Sequence, residues 1–138
     1  MAIQNAKVER RVTDFQNSDT RSFVNTTGRT LYHNEVILIA SAANRGMAAV
    51  VDAGNGDGTV AANATCSLIC KGVFEIPISA TAFTMGQCVQ LANSGTGATN
   101  GATASGLYAI GSAVEAVATS ASYVKCDLNF GPDAFYVW

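Results

Sequence analysis

Two-residue alternation towards the C-terminal end constrains this chain more than any other feature. Val124, Cys126, Leu128 and Phe130 fall on one side of an extended segment, and Lys125, Asp127 and Asn129 on the other. That is the pattern of a strand with one face in a core. Cys66, Leu68 and Cys70 repeat it against Thr65 and Ser67, with Ile69 breaking the polar row. Val36, Ile37, Leu38 and Ile39 form a continuous apolar run suited to a strand buried on both faces, and 47–52 follows as another strand after a turn at Asn44-Arg45-Gly46. Pro77 cannot donate to a ladder, so it should end its strand or sit on an edge. Residues 108–117 read as a strand, with 113–119 open to a short helix instead. The small, polar, Gly-containing stretch 92–105 reads as a long loop. About seven short strands with Gly-rich turns predict an all-β fold, a small barrel or sandwich-like body.

A chain of 138 residues fits one domain with tails and can bury a core without staples. Hydrophobic residues make up 49% and charged ones only 13%. The latter is about half the usual share, so much of the surface is expected to meet protein rather than water. Residues 1–29 hold Lys7, Arg10, Arg11, Arg21 and Arg29 against Glu9, Asp14 and Asp19, while the remainder is net acidic. With polar composition and no sustained period, 1–29 reads as an extended, weakly basic N-terminal arm, with a short helix over 6–15 as the other reading. The β-rich body then spans 30–130, and 131–138 is an aromatic tail. No run reaches the roughly 18 apolar residues of a membrane span, and the start lacks a charged region followed by an apolar one. The expectation is a chain without membrane association, made in the cytoplasm.

Catalytic chemistry finds little footing. His33 is the single histidine and has no neighbours that would make it a base, so a structural or solvent-facing role is expected. Cys66 and Cys70 sit about 13 Å apart along an extended strand. A disulfide needs Cα atoms within about 7 Å. Together with Cys88 and Cys126 they read as small buried thiols, and their spacing is not that of a zinc site. Gly54, Gly56 and Gly58 imitate a phosphate or calcium loop, yet no Gly-Lys-Ser/Thr step follows and no terminal Glu is placed to ligate. A hairpin loop is the expectation there. Glu75 and Glu115 are expected to cap turns or face an adjoining subunit rather than act as an acid and base pair. Lys7, Arg10 and Arg11 cluster, but Glu9, Asp14 and a pI near 5.1 argue against nucleic acid as the partner. No cofactor and no metal are expected.

Several pieces fall in a recognisable order: a strand from Glu35 through Ile39, then Gly72-Val73-Phe74-Glu75-Ile76-Pro77, Gly86-Gln87-Cys88-Val89, Ile110-Gly111-Ser112-Ala113-Val114-Glu115-Ala116, and a strand from Val124 ending Leu128-Asn129. Over residues 30–130 this order resembles the phage capsid decoration, or cement, proteins, a family sometimes labelled RecA-like recombinase. Nothing here could hold ATP, so the recombinase label is rejected on the residues. The resemblance implies a compact β-barrel-like body with an arm, a non-enzymatic role on the outer capsid surface of the virion, the major capsid protein as partner, and a homotrimer. Under this reading Arg10, Arg11, Phe15, Arg21 and Phe23 are the capsid-contact candidates. Phe135, Tyr136 and Trp138 are the subunit-interface candidates. The rival from another class is a carbohydrate-binding or host-adhesion module, since a β-sandwich with aromatic edges can stack sugars.

Overall fold

The computed structural model describes residues 7, 20–42, 45–53, 58–92, 97–100 and 107–129. They form eleven strands: β1 Thr20–Val24, β2 Leu31–Tyr32, β3 Val36–Ala42, β4 Arg45–Asp52, β5 Thr59–Val60, β6 Thr65–Ile69, β7 Val73–Pro77, β8 Cys88–Ala92, β9 Thr99–Asn100, β10 Leu107–Ala113 and β11 Tyr123–Leu128. No described residue is helical, so 113–119 is not a helix: β10 ends at Ala113 and the chain turns. Nine strands make one sheet, and β2 with β5 makes a second.

The large sheet has two halves. One runs β1, β6, β4, β3, all antiparallel; the other runs β7, β11, β10, β8, β9, also antiparallel. A single parallel bridge, Ala109 to Arg45, joins them. The second half curls until Ile78, just after β7, bridges Ala98, just before β9. No continuous ladder closes it into a barrel, and the body is sandwich-like.

Val36, Ala48, Val50 and Ile69 from the first half meet Phe74, Ile76, Val89, Leu91, Ile110, Val124, Cys126 and Leu128 from the second in the main core. Opposite faces of the same strands make a second core. Ile37, Ala49, Val51, Leu68 and Cys70 pack there beneath Leu31 and Val60 of the small sheet. Burial on both faces explains the unbroken apolar run at β3 and the Ile69 that interrupts the polar row of β6: at a strand between two cores, alternate residues enter different cores.

Four expectations are corrected. The strands outnumber the seven expected, because β2, β5 and β9 are too short to show a period. Part of 92–105 is ordered into the sheet: Ala98 is buried, and β9 pairs with β8. The loop carrying Gly54, Gly56 and Gly58 does not close a hairpin, since β5 pairs with β2 rather than with β4; its residues 54–57 lie outside the described residues. Residues 20–29 are built into the body: β1 forms a five-residue ladder with β6, and Asn25 is fully buried. Sequence alone hid this, because β1 is exposed on nearly all positions and its stabilising partner lies some forty residues on.

Candidate functional site

Among the described residues, the N-terminal segment meets the body at β1, at 25–29 and at Lys7. At β1, Phe23 is half-buried against the second core, opposite Cys66, while Arg21, opposite Leu68, is exposed at its rim. Upstream, Lys7 bridges Glu35, and its Nζ lies 4.8 Å from the centroid of the Tyr32 ring. A cation over an aromatic face adds about 0.5–1 kcal/mol at an exposed site. Arg10, Arg11 and Phe15 therefore stand in the sequence between two anchors; they lie outside the described residues, as do Phe135, Tyr136 and Trp138.

Beneath Lys7 is a buried ion pair. The Glu35 side chain is fully buried; it pairs with the Arg29 guanidinium through Oε2, and Oε1 accepts the Tyr32 N–H at 3.0 Å. Next to it, the Asn25 side chain donates to the carbonyls of Arg29, Val60 and Ala61 at 2.8 to 3.2 Å and accepts from Thr27. Its main chain bonds Ala64 and Asn63, both ways, at 2.8 Å. The segment is thus clamped at 25–29, and whatever precedes Thr20 leaves from a fixed point.

The motif residues have structural duties. Gly111 lies so close to β11 that a Cβ there would meet the Asp127 carbonyl oxygen at 2.3 Å and the Cys126 sulfur at 2.6 Å. Only a residue without a Cβ fits. Asn129 adopts φ 59°; its Oδ1 accepts the Ala48 N–H, and its Nδ2 donates to the Ala48 and Cys70 carbonyls, each at 2.8 Å. One buried amide thus ties the end of β11 to β4 and to the turn after β6. Glu115 accepts the Lys125 N–H at 3.4 Å and pairs with the Lys125 ammonium at 3.7 Å. Glu75 stands opposite Lys125 across the ladder. These two carboxylates stand beside one lysine of β11, Glu115 through its main-chain N–H and ammonium and Glu75 across the ladder.

The remaining reactive groups are equally occupied. His33 Nδ1 accepts the Ala53 N–H at 3.1 Å and lies 3.8 Å from Asp52 Oδ1. With Nδ1 engaged by a backbone N–H, this imidazole is held in place by the main chain. None of the four cysteines is in a disulfide. Burial pushes the Cys126 thiol far above its usual range, and burial followed by the Asp52 charge raises Cys66 as well. Neither is an activated nucleophile. No group of three or more metal-ligating side chains comes together among the described residues.

What remains is a small β body whose distinctive residues hold its fold and whose basic segment is fastened at its base. A family model described as phage cement protein matches residues 15–128. The chain belongs to the phage cement protein family. Its match begins ahead of residue 30, where the resemblance in the sequence starts, and takes in β1, in accord with the packing of 20–29 on the body. The family is a structural, non-enzymatic one, and membership gives this cement protein a role in the phage capsid and a place on the virion. No curated protein and no solved structure matches the chain.

Proposed function

We propose that this cement protein binds the outer surface of the phage head and clamps neighbouring major capsid protein subunits, as a trimer at local symmetry axes. The observation that carries the reading is the family match across 15–128, which takes in the whole β body and the residues that lead into β1. Packaged DNA pushes capsomers apart, and a small adapter spanning each seam raises the barrier to separation. An oligomer whose N-terminal segments each take one coat site gains avidity from high effective concentration.

Arg10, Arg11 and Arg21 would steer the segment towards an acidic coat surface, with Phe15 as apolar anchor. Phe23 adds to that contact from a half-buried seat on the second core, so it positions the segment as well as touching the coat. Main-chain pairing with an edge of the coat protein suits residues upstream of β1. Ordering such a segment costs roughly 2 to 5 kcal/mol, which the docked contacts must exceed. Phe135, Tyr136 and Trp138 are too apolar to stay in water and are assigned to contacts between subunits.

The test is co-sedimentation with matching expanded heads stripped of decoration. Saturation at a simple ratio to coat subunits, with a raised head rupture temperature, is expected. Failure to bind under these conditions would overturn the reading and return the weight to a glycan-binding module.

A further inference from the structure

The N-terminal segment and the aromatic tail leave the body at one corner. Thr20, the first residue of β1, stands opposite Ile69 of β6. The residue after Ile69 is Cys70, whose carbonyl accepts the Asn129 side chain at 2.8 Å, and 130–138 depart from Asn129. That exit is fixed by main chain as well: Leu128 N–H donates to the Gly72 carbonyl at 3.0 Å and Asn129 N–H to the Ile110 carbonyl at 2.7 Å. A cross-strand step, a chain step and one hydrogen-bonded side chain separate the two exits, on the order of 15 Å in all. The upstream anchor of the N-terminal segment is near the same corner. Lys7 bridges Glu35, whose carbonyl accepts the Val51 N–H at 2.9 Å, and Val51, Leu68 and Arg21 lie in one row across β4, β6 and β1.

Composition assigns Phe135, Tyr136 and Trp138 to contacts between subunits; the exit says which subunits. A stretch of the length of 130–138 spans roughly 15–20 Å as a coil and about 30 Å fully extended. The first figure matches the gap between the two exits, whereas the far end of β11 alone is about 20 Å away. A tail tethered at Asn129 therefore meets the partner of the N-terminal segment at high effective concentration. Charge points the same way. Residues 30–138 are net acidic, yet Arg21 and Lys71 are exposed at this corner, with half-buried Asp127 beside Lys71. Aromatic side chains next to an exposed arginine have the composition of an interface centre, and the cations suit an acidic partner surface.

We infer that residues 131–138 bind the major capsid protein alongside the N-terminal segment, so that both ends of the chain form one docking surface around the Cys70 corner. This rests on the reading of the N-terminal segment as the coat contact.

The test is photo-cross-linking of the full chain on matching expanded heads stripped of decoration, with Tyr136→p-benzoylphenylalanine in one sample and Thr20→p-benzoylphenylalanine in another. Both positions should give adducts with the major capsid protein, mapped by mass spectrometry to one coat surface. An adduct of position 136 with a second copy or within its own chain overturns the inference, as does a coat adduct remote from that of position 20, or none where position 20 gives one. A chain of residues 1–130 should need at least about tenfold more protein to half-saturate heads, with melting temperature and sedimentation of the free protein unchanged. Equal saturation, or assembly of the free protein lost on truncation, also overturns it; Tyr136→Ser with Trp138→Ser in the full chain replaces the truncation if melting falls. Heads saturated by a chain whose position 136 reaches only other copies would sink this inference and leave the cement reading standing. An unaltered chain that never binds heads would fell the cement reading and this inference with it.

Discussion

At the scale of single residues, stability is concentrated in buried polar groups. Asn129 satisfies Ala48 and Cys70 main-chain groups from a left-handed backbone position that Asn tolerates better than most residues. Asn129→Ala should lower unfolding free energy by about 3 kcal/mol or more in a denaturant titration, since it strands buried groups and keeps the strained φ. Gln90 is the opposite case: it is fully buried, and neither side-chain polar atom has a hydrogen-bond partner. Gln90→Met, close to it in shape, should raise stability by about 1–3 kcal/mol in the same titration. Asp127 supplies a pH signature. Burial raises its carboxyl above 3.8, with Lys71 pulling the other way. A raised carboxyl favours the folded chain below the unfolded pKa, and that contribution is lost as pH rises through the folded value. Asp127→Asn should therefore melt higher than the unaltered chain at pH 7, and the gap should close below about pH 3.8.

At the scale of elements, β1 decides where the N-terminal segment can be cut. Residues 20–29 supply the β1 ladder, the Asn25 clamp and the Arg29 partner of a fully buried Glu35. Removing one member of a buried ion pair costs about 3–5 kcal/mol. A chain of residues 20–138 should melt only a few degrees below the full chain, for the loss of the Lys7 contacts, while residues 30–138 should melt far lower or fail to fold, as differential scanning calorimetry would read. Loss of head binding by the 30–138 chain alone therefore tests folding, not docking. The informative truncation for the coat-contact proposal ends at residue 19.

At the scale of the whole molecule, charge is divided. A basic N-terminal segment is fastened to an acidic body. If the segment steers docking, Arg10→Glu with Arg11→Glu should slow association with stripped heads by about tenfold at low salt, measured by light scattering. The difference should shrink as ionic strength rises and the Debye length falls to about 8 Å and below. A salt-independent deficit would assign those arginines to close contact instead of steering.

Alternation is a local property, so the sequence by itself determined the strands at 36–39, 65–70 and 124–129, which residues face a core, and the all-β class. It also carried the order of motifs that marks the family, because those motifs are continuous in the chain. Pairing is not local. The attachment of β1 to β6, of β5 to β2 and of β9 to β8 depends on partners brought near by folding, and two-residue strands leave no period to read. Nor could composition show that Asn25, Glu35 and Asn129, polar residues usually found in water, are buried. Their burial is tolerable only because distant carbonyls, N–H groups and a guanidinium meet them, and tertiary structure alone decided that. The same is true of the connections 78–87 and 114–122, some thirty residues apart, which the Phe83 and Val117 bonds join.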